Sequence, residues 1–252
     1  MRFTVPLQAL AVLYMAKATV QAPFDHSTAY PTRSLANITV IDTPIVREAQ
    51  AYARAHSSDV VYDHIIRSWL FGVLILEHNA TLKELVDPET HAVATLLHDL
   101  GWDQTPGSSV VSSDRRFEVD GAIAAREFLT TREPERWGER RSQLVWDSIA
   151  LHTQESIWTY KEPVVMVTGA GIFNDFDNMY GDITQSEYDA VVKAIPRVDF
   201  IETVNQTFVW LCQSKPITTY DTFMQPWGDE FVQGYNATGY RVFDIITNDK
   251  DY

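Results

Sequence analysis

From Pro44 onward the apolar positions recur at three- and four-residue spacing, and stretches of strict alternation that would mark half-buried strands are absent. The first helical stretch, IVREAQAYARAH, follows Thr43-Pro44, an N-cap residue with proline at the first helical position. Ser58 or Asp59 starts the next, with Val61, Ile65, Leu70, Val73, Leu74 and Leu76 on its apolar face. Asp87-Pro88-Glu89 opens a third helix through HAVATLLHDL, which Gly101 ends. Further helices are predicted over RFEVDGAIAAREFL and over 134–152, 164–180, 184–194 and 198–212. Residues 103–113 hold Pro106, Gly107 and five hydroxyl side chains, the composition of a loop. The tail from Lys215, with Tyr220, Phe223, Trp227, Phe231, Tyr235 and Tyr240, reads as one more helix and a covering strap. No internal repeat appears, and an all-α bundle follows.

The N-terminal end breaks this pattern. Residues 1–22 place Arg2 before an apolar stretch and then small residues at Ala16, Ala18 and Ala22, the layout of a secretory signal peptide. Residues 23–42 are rich in Ser, Thr, Pro and Asn and read as an extended arm. The helical domain then spans 43–215, and 216–252 form the C-terminal helix and tail. Asn37, Asn79, Asn205 and Asn236 all begin N-glycosylation triplets, where roughly one is expected by chance, which agrees with a secreted glycoprotein.

Composition narrows the partners. At 252 residues and 45% hydrophobic content one sizeable core suffices. Acidic residues outnumber basic ones 34 to 20, for a net charge of −14, which argues against nucleic acid and anionic membranes and leaves a small-molecule substrate, with a homo-oligomer open. Cys212 is the single cysteine, so no intrachain disulfide can form, and its run FVWLC marks it as core filler.

His98 and Asp99 end the apolar run ATLL, where two ionisable neighbours need a pairing or an ion. Near a helix end the backbone leaves regular geometry, and both can turn toward one centre. His64 stands inside an apolar helix with Arg67 one turn on, and Asp175 and Asp177 in GIFNDFDN offer further carboxylates. Such imidazole and carboxylate groups suit a divalent transition metal, Zn2+ first and Fe2+ or Mn2+ as alternatives, better than Ca2+.

The ordered blocks HIIRSWLFG, TLLHDLGWD, RFEVDGAIAAREFL, VWDSIALHT and GIFNDFD resemble the HD-domain metalloenzymes, most closely their fungal cyanamide hydratase-like branch, over roughly residues 43–215. The resemblance implies an HD-domain helical bundle with its metal site between central helices, and His64, His98, Asp99 and Asp175 as ligands. Two-metal members carry two further histidines. Phe117 stands where the first would be and His152 remains of the pair, which points to one ion. His152 is then free to act on substrate or water, or to brace the site. Glu118 is a second candidate for proton transfer or a charge at a helix start, and Arg67 is a candidate to bind substrate or brace Asp99.

The activity implied is metal-dependent hydration of a nitrile carbon to a urea-type product, with the ion activating water. A phosphohydrolase acting on a nucleotide or small phosphomonoester is the rival, and it asks for Lys/Arg around the site. A secreted metal-binding protein without catalysis is the third reading.

Overall fold

The structure is a computed structural model that describes residues 30–248. The predicted leader lies outside the described residues. The chain enters through a β-hairpin, β1 (Thr32–Leu35) and β2 (Ile38–Ile41), paired Thr32 to Ile41 and Leu35 to Ile38. Here the structure departs from the expected extended arm. The turn residues Ala36 and Asn37 both have positive φ, 50° and 64°, and two such residues make the tight turn whose twist suits a hairpin. With strands of four residues the alternation is too short to stand out in the sequence, yet it buries Val40 and Ile41.

The rest is all-α among the described residues. Helix α1 (Pro44–Ala55) begins at Thr43 with proline in its first turn, and α2 (Asp59–His78) begins at Ser58, whose side chain accepts from Val61 N. A short α3 (Ala80–Leu85), capped by Asn79, adds a helix that the sequence reading above does not contain. Helix α4 (Pro88–Leu96) stops before His98, and a 3-10 turn (Leu100–Trp102) follows. Then come α5 (Phe117–Arg132), α6 (Glu139–Leu151), α7 (Glu155–Trp158), α8 (Pro163–Asn174), α9 (Gln185–Ala194) and α10 (Phe200–Ser214). The tail folds as two short helices rather than one, α11 (Gln225–Phe231) and α12 (Val242–Asn248). No described helix is long and apolar enough to cross a membrane.

Helix α2 is buried on nearly every side, from Val61 through Leu76, which makes it the axis of the bundle. Its closest companion is α8. Gly171 lets the two backbones meet: a Cβ there would lie 2.7 Å from Ser68 O and 2.8 Å from Gly72 N. That approach brings Asp175, one turn beyond Gly171, against the Arg67 face of α2. The tail closes over α10, where Trp227 packs on Phe208 and its Nε1 donates to Asn205 Oδ1 at 3.0 Å. Cys212 is buried beneath it, as core filler. Of the four glycosylation triplets, Asn37 and Asn236 are exposed, Asn79 caps α3, and Asn205 lies within α10 with Thr207 buried.

An ion pair pins the chain after α10 to α5. Lys215 Nζ sits 2.7 Å from Asp120 Oδ2, both side chains buried, and Asp120 also accepts from Ser112 N and Arg115 Nε. Burial would push the Asp120 carboxyl up, but these partners hold it below the ordinary carboxylate range. A depressed folded pKa contributes stability that is present above the unfolded value, about 3.9, and is lost as pH falls through the folded one. Asp120→Asn is therefore expected to unfold at lower urea than the parent at pH 7, with the gap closing as pH falls below about 4. An equal gap at both pH values in urea titrations would contradict this.

Candidate metal centre

The end of α4 explains how two adjacent residues come to face one point. The helix closes at Leu96, Leu97 is its cap, and His98 and Asp99 lie in the irregular turn before Leu100. Gly101 makes the turn possible, because any Cβ there would run into the Phe117 carbonyl of α5. His64 arrives from the middle of α2, its ring stacked between Phe200 at 4.9 Å and Trp102 at 6.3 Å.

Hydrogen bonds fix which nitrogen each imidazole presents. His98 Nδ1 donates to Thr95 O at 2.7 Å, and His64 Nδ1 donates to Asp175 Oδ2 at 2.7 Å. With both Nδ1 atoms carrying the proton, both Nε2 atoms carry lone pairs, and these face one another at 3.3 Å. Asp99 Oδ2 completes the triangle, 3.1 Å from His98 Nε2 and 3.6 Å from His64 Nε2. Neither Asp99 oxygen has a hydrogen-bond donor. Three buried electron-rich atoms without a shared proton repel one another unless a cation lies among them. An ion about 2.0–2.1 Å from three tetrahedral ligands sets those ligands about 3.4 Å apart, which the triangle matches.

The charge states suit the same role. Burial drives His64 below the ordinary histidine range despite the pull of Asp175 and Asp99. Burial pushes Asp99 up, but the surrounding His98, His64 and His152 more than reverse it, so the carboxyl stays ionised. Neutral imidazole and carboxylate are the ligating forms.

Asp175, expected as a fourth ligand, stands behind His64. Its Oδ1 accepts from Arg67 Nε at 2.7 Å, and its Oδ2 accepts from Arg67 Nη2 at 2.8 Å as well as from His64. Burial would raise its pKa, yet the hydrogen bonds from His64 and Arg67 hold it low. A carboxylate placed so fixes the tautomer of the imidazole and raises its basicity as a ligand. The sequence placed Asp175 inside a helix; α8 in fact ends at Asn174, and Asp177 lies exposed. Arg67 braces Asp175 and not Asp99, and it donates onward to Pro196 O at 3.1 Å, so it is committed to the protein and does not line the chamber over the site.

That chamber has a volume of about 310 Å3 and is walled by Trp102, Ile172, Phe173, Phe176, Phe208 and Phe223, with His64, Asp99, His152 and Thr153 at its polar end. His152 Nδ1 donates to Ile149 O at 2.7 Å, leaving Nε2 as an acceptor 3.8 Å from Asp99 Oδ1. Burial, and then the nearby His98, bring its pKa down to about 4. Phe117 packs on His152 at 5.6 Å. Glu118 does not reach the chamber. It is buried, accepts from Arg116 Nε at 3.2 Å, and takes the Thr153 hydroxyl at 2.7 Å, so it holds the turn that carries His152.

An HD-domain family profile matches residues 61–199, more than half of the chain. The chain belongs to the HD-domain family. The all-α architecture is that of an HD domain, and the His64–His98–Asp99 cluster can hold a divalent metal, so the protein is placed among metal-dependent enzymes. No curated protein matches the chain.

The aromatic chamber had only a partial signal in the sequence. Trp102, Phe173 and Phe176 lie within three residues of Asp99 or Asp175, and proximity to the motif could have marked them. Phe208 and Phe223 come from a distant helix and the tail, and only the fold brings them in.

Proposed function

We propose that this HD domain adds water to a small uncharged substrate at a single metal ion, after the pattern of the cyanamide hydratases, converting a nitrile carbon to a urea-type product. The observation that carries the reading is the union of a donor-free His64–His98–Asp99 triangle with an aromatic chamber that no Lys or Arg lines. Arg67, Arg115 and Arg116, the cations nearest in sequence to the motif, are engaged by Asp175, Asp120 and Glu118 respectively. A phosphomonoester entering such a chamber would lose its hydration with no cation from the protein to replace it.

His64, His98 and Asp99 would hold a divalent ion, which would supply Lewis acidity and make water a competent nucleophile near neutral pH. The chain does the rest. Asp175 and Thr95 hold the two ligating imidazoles in one tautomer. The aromatic walls exclude bulk water and strengthen polar contacts at the reacting end. His152, neutral through the physiological range, accepts the proton of the attacking water at Nε2 and returns it to the nitrile nitrogen as the C–O bond forms, and the isourea so produced shifts its remaining hydroxyl proton to nitrogen to give the urea. Glu118, through Thr153, positions that histidine. Zinc is the first choice of ion, and a secretory route follows from the leader and the glycosylation triplets of the sequence.

Metal-loaded protein assayed against cyanamide and a panel of phosphomonoesters is expected to produce urea and to release no phosphate. Turnover of the phosphomonoesters alone would defeat the hydratase reading, and a bound metal with no turnover of either would favour a metal-binding protein without catalysis.

A further inference from the structure

A second cavity, of about 590 Å3, shares Trp102 as a wall with the aromatic chamber. It lies where the end of α1, the start of α2, the loop after the 3-10 turn and α10 converge. Its volume falls in the range of small-molecule sites. Nothing in the proposed reaction uses it.

The lining is neutral in a specific way. No Lys or Arg contributes. The one carboxylate, Asp103, is fully committed: Oδ1 accepts from Thr105 N at 3.0 Å, and Oδ2 accepts from Ser108 Oγ and His56 Nδ1, each at 2.7 Å. Burial would push its pKa up, yet these donors hold it low, so it is ionised and His56 Nδ1 is the donor. An anion entering the cavity meets no uncommitted cation, and a cation meets no uncommitted carboxylate. What remains is the Thr203 hydroxyl with the carboxamides of Gln104 and Gln206: their Nε2 atoms donate to Thr207 Oγ1 at 3.3 Å and to Glu202 Oε1 at 2.7 Å, and each amide still offers its Oε1 and a second N–H. Ser57 Oγ and Trp102 Nε1, on two of the lining residues, are buried without a partner.

We propose that this cavity is a second binding site, for a small neutral polyhydroxyl molecule of the monosaccharide or cyclitol class. A ligand hydroxyl is itself donor and acceptor and matches a wall of hydroxyls and carboxamides group for group. The apolar C–H face of such a ring needs an apolar wall, which Val60, Val61 and the Trp102 indole provide. Trp102 also stacks on His64, with ring centroids 6.3 Å apart, so the indole that walls this cavity touches a candidate metal ligand as well.

The test is ligand-observed saturation-transfer NMR and calorimetry on the full chain. Glucose and myo-inositol serve as probes, with inorganic phosphate and putrescine as charged controls. Both polyols are expected to bind in the millimolar range or tighter and the controls not at all. Gln104→Leu and Thr203→Val should each weaken the polyols about tenfold, and Ser57→Phe, which fills the cavity, should abolish binding. Unchanged thermal melts of the three variants separate these effects from unfolding. Failure of both polyols to bind, binding of phosphate or putrescine in their place, or polyol binding untouched by all three variants would each overturn the proposal. Neither metal nor turnover enters the measurement, so its outcome is separate from that of the hydratase assay.

Discussion

Arg67→Leu is expected to cost about 3–5 kcal/mol of stability, a large share of the roughly 5–15 kcal/mol that holds a domain together. The Arg67 side chain is fully buried, and its guanidinium spans both oxygens of Asp175. Removing it leaves an ionised carboxylate in the interior facing only His64 and, at 3.8 Å, Arg197 Nε. Pairing the change with Asp175→Asn removes the stranded charge, so the double variant should recover part of the loss, and the cycle of four proteins isolates the coupling. Urea unfolding of all four checks this. A loss below about 1 kcal/mol for Arg67→Leu would mean that Arg197 takes over the pairing, and the brace behind His64 would not depend on Arg67.

Asp99→Asn has the opposite character. Both Asp99 oxygens are buried without hydrogen-bond donors, and the histidines around the carboxyl hold it ionised, the form that takes a cation. The variant is expected to lose bound metal to trace levels and activity by a factor on the order of 10^3, while its metal-free form melts close to the metal-free parent, because the isosteric amide leaves the packing intact. Metal content by elemental analysis and paired thermal melts check both halves. A variant that keeps its metal, or a metal-free form that is clearly destabilised, would mean that Asp99 serves the fold.

The contrast between these residues also marks what the sequence could convey. Helix starts were legible because their causes are local: Thr43-Pro44, Ser58 and Asp87-Pro88 act within one turn. The turn holding His98 and Asp99 was legible as two ionisable residues closing an apolar run. Whether Arg67 would turn to Asp99 or to Asp175 was not, because that depends on how near α8 comes to α2 at Gly171 and Gly72, a contact about a hundred residues apart in the chain. Asp175 was placed within a helix for a related reason. The run GIFNDFDN keeps helical spacing past the point where Asn174 turns its side chain to the backbone of Met179 and Tyr180. The hairpin at 32–41 was hidden by strands too short to show a period. Aromatic residues from α10 and the tail reach the chamber only after the bundle has assembled.

The central claim is a single ion held by His64, His98 and Asp99, with Asp175 behind His64. Crystals of the metal-loaded protein, measured at the absorption edge of the metal, test it directly. One anomalous peak is predicted, about 2.0–2.1 Å from His64 Nε2, His98 Nε2 and an Asp99 oxygen, with Asp175 still bound to Arg67. Two peaks, or one peak outside that triangle, would contradict the account.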